Sequence, residues 1–203
     1  GLTALQCAFT TKLAREELLL GEKVENVIVT GASGGVGSIA VMILNKLGCN
    51  VTAVTSKQSN NEYLKSIGAK SITKSSDLDK DPRPLDKGIW DGAVDTVGGN
   101  ILSNILPHIK ENGIVAAVGN ASGIKLNTTV MPFIIRGVKL WGIDSVHTSS
   151  KRREFLWGEA SKLVDFTLLE KSIKEISLEE LLNIFPTMLE GKTSGRYIVN
   201  LNK

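Results

Sequence analysis

Cysteine and histidine are nearly missing from this sequence. Cys7, Cys49, His108 and His147 are the only ones in 203 residues. No C-x-x-C pair and no His cluster with metal-ligand spacing can be built from them, so no metal centre is expected in this chain. Two scattered cysteines do not make a disulfide framework. They suit a reducing compartment, and a cytoplasmic location is expected. Long hydrophobic runs are also absent. The longest, Ile39–Leu44, falls far short of the roughly 18 residues a membrane span needs. The first residues, GLTALQCAFTTKLAREE, lack the charged and then apolar regions of a signal peptide. Charge of one sign is missing too. With 24 Lys and Arg against 21 Asp and Glu the net charge is +3, dispersed along the chain, which argues against nucleic acid as a partner. Aromatic residues make up 5%, internal repeats are lacking, and no segment has the composition of disorder. What remains is an ordinary globular mixture, 42% apolar and 22% charged, with 20 glycines that stand out.

The apolar pattern alternates between two periods. Leu2 to Leu20 reads as a helix ended by Gly21, and Val24–Thr30 as a β-branched strand. Gly31 to Gly37 is a glycine turn. Ile39, Ala40, Ile43, Leu44 and Leu47 then mark an amphipathic helix that stops at Gly48, and Val51–Thr55 is the next strand. Strand, turn, helix and strand in about 30 residues make a βαβ unit. The alternation continues: helix at 60–67, strand at 71–73, polar loop at 75–87, strand at 90–97, helix at 101–109, strands at 113–119 and 138–144, and a charged helix at 151–166. This order predicts an α/β fold, a doubly wound parallel sheet of the Rossmann type with three α/β/α layers. Near the end, Ser177 and Glu180 form an S-x-x-E capping box. The helix that follows is expected to kink or split at Pro186 and to close at Gly191, before a last strand at 197–201.

The informative segment is Thr30-Gly-Ala-Ser-Gly-Gly-Val-Gly37. Gly31 allows a sharp exit from the strand. Gly34 and Gly35 let main-chain amides approach phosphate oxygens, and Gly37 lets the helix pack close to the sheet. The helix N-terminus adds about half a positive charge and unpaired amides. Because the turn follows a strand and opens a striped helix, it predicts pyrophosphate binding by a dinucleotide. The Lys-Ser/Thr pair of a triphosphate loop is absent. Where a site for NAD carries Asp or Glu after the second strand, this chain has Thr55-Ser56-Lys57. Two hydroxyls and an ammonium suit a ribose 2′-phosphate, which predicts NADPH. Asp95-Thr-Val-Gly98 ends another strand; Asp95 reads as a helix cap and Val97 as a cofactor contact. Gly119-Asn120 could border the nicotinamide side or serve only as a turn. His108, His147 and the three tryptophans read as surface and packing residues.

Several blocks together carry a resemblance: VIVTGASGGVGSIAVMILNKLG, VTAVTSK, EYLKSIGA, WDGAVDTVGG, TTVMPFIIRGVKLWGIDSV and KRREF. Over essentially its whole length the chain resembles the medium-chain dehydrogenase/reductase superfamily, in the zinc-independent branch of quinone oxidoreductases and acrylyl-CoA reductases. The resemblance implies that residues 1–170 are the dinucleotide domain and residues 171–203 a helix–strand tail returning to a GroES-like catalytic domain. That domain is not in this sequence, which begins with Gly1 rather than Met. No catalytic residue is therefore assigned. The implied cofactor contacts are Ser33, Gly34, Gly35 and Val36 at the phosphates, and Thr55, Ser56 and Lys57 at the 2′-phosphate with Ser71 beside them. Val97, Asn120, Ile134 and Ser145 would line the nicotinamide half. Where close members carry Ser-Gly-Arg, Thr-Ser-Lys stands here, a point charge in place of a bidentate guanidinium. The implied activity of the longer protein is NADPH-dependent reduction of an activated alkene or quinone, with a homodimer formed through the strand near 138–145. The fragment alone is expected to be inactive.

Two other readings use the same glycines. A short-chain dehydrogenase needs a Tyr with a Lys four residues on, but Tyr63 and Tyr197 are followed at that distance by Ile67 and Leu201. A non-catalytic NADP-binding module would need no such pair.

Overall fold

The computed structural model describes residues 1–202. The chain opens with α1 (Leu2–Phe9), a π-helical turn at Thr10–Ala14 and α2 (Arg15–Leu18), one helical stretch as the apolar spacing predicts. There follow β1 (Asn26–Val29), α3 (Gly37–Lys46), β2 (Asn50–Thr55), α4 (Asn61–Ser66) and β3 (Ala69–Lys74). The second half adds β4 (Trp90–Asp95), α5 (Gly99–Ile105), β5 (Ile109–Ala117), α6 (Met131–Arg136), β6 (Lys139–Gly142), α7 (Ser150–Leu163) and α8 (Phe166–Glu170). The chain ends with β7 (Ile173–Ile176), α9 (Leu178–Leu189) and β8 (Arg196–Val199).

Six strands pair in the order β3-β2-β1-β4-β5-β6, every pair parallel. This is the doubly wound order, and its direction reverses between β1 and β4. A crevice therefore opens beyond the carboxyl ends of those two strands. Two apolar clusters lie on the two faces of the sheet. One holds α1, α3 and Leu156 of α7; the other holds α5, Trp90 and Val138. Helix α3 is buried at every position from Gly37 to Leu44, because α1 covers the side turned away from the sheet. At the amino edge, the buried Asp91 carboxylate accepts the N–H groups of Glu25 (3.1 Å) and Asn26 (2.8 Å) and pairs with Lys110 at 3.1 Å and Arg15 at 3.9 Å.

The structure departs from the periodicity reading in several places, among them a separate short helix α8 where one helix over 151–166 is expected. Helix α6 begins at Met131 with Pro132 in its first turn, where proline costs no hydrogen bond. Strand β7, four residues reading Ile-Lys-Glu-Ile, pairs in parallel with β8 in a small second sheet. Helix α9 runs unbroken from its Ser177/Glu180 capping box through Pro186, so the expected split does not occur. The carbonyl freed by that proline belongs to exposed Leu182, where water can take the bond.

Candidate functional site

The crevice at the strand switch holds a cavity of about 470 Å³. Its floor is the turn between β1 and α3. Gly31 has a left-handed φ of 55°, and a Cβ there would lie 2.3 Å from Thr96 Oγ1. A Cβ on Gly37 would lie 2.3 Å from the Gly31 carbonyl oxygen, so only bare backbone closes this turn onto its helix. The Gly34 N–H donates to Gly31 O at 2.9 Å, and the Ser38 hydroxyl to Gly34 O at 2.8 Å. The N–H groups of Gly35, Val36 and Gly37 have no partner among the described residues. These are the orphan donors of a helix N-terminus, which favour an anion.

The wall at β4 is tied to the turn. Thr30 Oγ1 donates to Asp95 Oδ1 at 2.7 Å and accepts the Thr96 N–H at 2.9 Å. Asp95 Oδ2 accepts the Gly98 N–H at 2.9 Å. Burial pushes the Asp95 carboxyl above its ordinary value, against the pull of these donors. Asp95 thus joins β1, β4 and the start of α5, which places Val97 at the cavity.

Eight of the sequence-predicted residues meet in this one cavity: Ser33, Gly34, Gly35, Val36, Thr55, Ser56, Lys57 and Val97. The Ser33 and Thr55 hydroxyls stand 3.3 Å apart. The Lys57 ammonium donates to the Thr193 carbonyl; burial and the nearby Lys174 hold its pKa below the ordinary lysine value. Four predicted residues lie elsewhere. Ser71 sits early on β3, its hydroxyl 2.9 Å from that of Thr52, and Ser75 beyond the strand's carboxyl end lines the cavity instead. Asn120 lines a second depression formed by residues 117–120 and 142–144. Ile134 is exposed on α6, and Ser145 accepts a hydrogen bond from Thr3 Oγ1 at 2.9 Å.

The tail supplies what sequence spacing missed. Gly191 and Thr193 line the cavity, and the Gly195 N–H donates to Ser33 O at 3.0 Å. Arg196 lies over the turn: a Cβ on Gly35 would sit 3.4 Å from one of its guanidinium nitrogens. The dipeptide Gly195-Arg196 carries no periodic signal. Its importance comes from a fold-back across more than 150 residues of sequence.

A family model described as zinc-binding dehydrogenase matches residues 35–162. Acrylyl-CoA reductase AcuI of Ruegeria pomeroyi is 41% identical over 87% of this chain and 54% of its own length. The YhdH oxidoreductase of Salmonella enterica, solved in complex with NADP, superposes with a TM-score of 0.90 at 40% identity, over 99% of this chain and 60% of that one. YhfP of Bacillus subtilis, solved with NAD bound, gives 0.86 at 38% identity, over 99% and 60%. The chain spans between 54% and 61% of the length of the curated relatives it matches. As for zinc, no group of three or more His, Cys, Asp or Glu among the described residues is placed to hold a metal. The match over residues 35–162 starts inside the glycine turn and runs through the rest of the parallel sheet, so the chain belongs to the zinc-binding dehydrogenase family, the medium-chain dehydrogenase/reductases.

Proposed function

We propose that this chain is the NADPH-binding domain of an oxidoreductase that reduces an activated alkene, an enoyl thioester of the acryloyl-CoA kind, or a quinone. The observation that carries the reading is the cavity at the strand switch, with unpartnered amides at a bare-backbone turn, Arg196 above it and Lys57 at its far end. The turn fits a pyrophosphate because Ser33 to Gly37 offer several N–H groups and no side chain that would fill the cradle. Arg196 would neutralise the phosphates, Thr55, Ser56 and Lys57 would hold the 2′-phosphate, and Val97 would pack on the dinucleotide. Asn120, in the second depression, would border the nicotinamide half, with Ile134 and Ser145 further along the same edge. When bound, the reduced nicotinamide supplies a hydride; the protein supplies binding and orientation.

Residues 1–170 form the dinucleotide domain in this reading, and residues 171–203 a tail belonging with a catalytic domain in the longer protein. The exposed face of α9 (Leu178, Leu182, Phe185, Leu189) is the surface that domain would cover. The edge strand β6, with half-exposed Trp141, would pair with its copy in a homodimer. The protein would work in the cytoplasm. Relatives have been solved with NADP and with NAD, so the 2′-phosphate preference rests on Thr55-Ser56-Lys57. The test is NADPH oxidation by the longer protein with acryloyl-CoA and with a quinone. Turnover of either supports the reading, and no turnover of both overturns it.

A further inference from the structure

Arg153 gathers the main chain of the loop between β6 and α7. From the first turn of α7, its Nε donates to the Thr148 carbonyl at 3.1 Å. Its Nη2 donates to the carbonyls of Ser145 and Val146, each at 3.1 Å. In a planar trans peptide the N–H points opposite to the C=O. The N–H groups of the same two peptide units, on Val146 and His147, therefore face the other way. The Asp144 carboxylate accepts both, at 3.0 and 3.1 Å. Two successive peptide planes are thus clamped between a guanidinium and a carboxylate. The His147 ring, 2.6 Å from Asp144 Oδ2, and these amides hold the Asp144 carboxyl below its ordinary value, so the acceptor stays charged at neutral pH.

Helix α1 props the loop from a second side. The buried Gln6 donates from Nε2 to Thr148 Oγ1 at 2.7 Å. Thr3, one turn earlier on the same helix, donates to Ser145 Oγ at 2.9 Å. Arg153 has no carboxylate partner among the described residues, so its fork is directed at the loop carbonyls. Connecting loops are commonly the mobile parts of a fold. This one is fixed where it borders the depression at 117–120 and 142–144, beyond the carboxyl ends of β5 and β6. Asp144, one jaw of the clamp, lines that depression together with Gly119 and Asn120.

We propose that Arg153 is a positioning residue for hydride transfer: through the clamped loop it sets the wall against which the nicotinamide ring is held. The inference rests on the reading of that depression as the nicotinamide half. Misplacing a reacting group by about 1 Å can slow a reaction about a hundredfold. Affinity for the dinucleotide comes from the phosphate end, at the glycine turn, and should be spared. The test uses the intact protein: fluorescence titration with NADPH, and the single-turnover rate of NADPH oxidation by acryloyl-CoA or a quinone, whichever reacts faster. Arg153→Ala should slow the single turnover about tenfold or more and leave the NADPH dissociation constant within about twofold. It should also shift the emission of bound NADPH, which reports the surroundings of the ring. Added guanidinium ion should restore part of the rate to Arg153→Ala. Arg153→Lys should stay slow, because it keeps the charge and lacks the fork. The double variant Thr3→Val/Gln6→Met, close in shape to the parent, should slow the step several-fold from the α1 side. It decides the question if circular dichroism shows that Arg153→Ala does not fold. Arg152→Ala, which removes the neighbouring exposed guanidinium, should match the parent. A parent-like rate in Arg153→Ala overturns the proposal, as does an equal loss in Arg152→Ala. So does NADPH binding weakened in proportion to the rate, which would mark a general loss of structure. A parent that binds NADPH and reduces neither acceptor fails the proposed function alone, and the emission of bound NADPH then decides this inference. A parent that does not bind NADPH overturns both.

Discussion

Lys57 and Asp95 show how single residues set this site, one at its rim and one beneath it. Lys57 stands where a carboxylate would select against a 2′-phosphate. Its ammonium is held by the Thr193 carbonyl, at one end of the cavity. Lys57→Ala is expected to weaken NADPH binding about tenfold, the worth of one charge-assisted contact, and to leave NADH binding unchanged. Titration of the variant with both dinucleotides checks this; equal losses for both would remove Lys57 from the 2′-phosphate pocket. Asp95 acts through structure. Its raised carboxyl pKa means the folded state holds the proton more tightly than the unfolded chain does. The stability from that proton is fully present below the unfolded value, about 3.9. It is lost as the pH rises through the raised native value. Asp95→Asn, neutral throughout, should abolish that decline. It should also cost about 1–3 kcal/mol at neutral pH, because its NH₂ must face the Thr30 or Gly98 donor. Urea unfolding at a series of pH values measures both effects, and a variant whose profile parallels the parent's would refute the assignment. Glycine chemistry made the turn legible in the sequence, since a Cβ at Gly31 or Gly37 would clash. Ser71 shows the limit: a strand's carboxyl end must be known to the residue before a neighbour can be assigned, and here it is Ser75, beyond the end of β3, that lines the cavity.

Among the elements, α3 carries most of the burden of holding the turn in place. The sequence reading makes it amphipathic, with one face on the sheet. In the structure α1 covers the other face, so even Val41 and Met42 are buried. Ile43→Ala in this helix is expected to cost about 2–5 kcal/mol, the cost of an internal cavity. Chemical denaturation measures it; a loss under 1 kcal/mol would mean that α3 is not clamped between sheet and α1. The inner strands β1, β4 and β5 were legible because their apolar runs, Val27–Val29, Ala93–Val94 and Ile114–Ala116, are fully buried. Strand β7 was not, because Ile-Lys-Glu-Ile is short, polar at its centre and paired only with β8, twenty residues further on. Helix α6 was obscured by Pro132, which looks like a breaker until its first-turn position is known.

Across the whole molecule, the parallel order 3-2-1-4-5-6 brings residues from β1, β2, β4 and the tail to one crevice. The tail's part in that crevice is a long-range fold-back, which no local pattern encodes. The sheet ends in β6, an exposed edge bearing Trp141. Trp141→Glu is expected to convert a dimer of the intact protein into a monomer, read by analytical ultracentrifugation; a parent that is already monomeric would contradict the pairing. The most direct test of the central claim is calorimetric titration of the intact protein with NADPH and, separately, with NADH. The account predicts one site per chain and about tenfold tighter binding of NADPH, equivalent to about 1.4 kcal/mol. Equal affinities would contradict the 2′-phosphate role of Thr55, Ser56 and Lys57, and no binding of either would contradict the dinucleotide site itself.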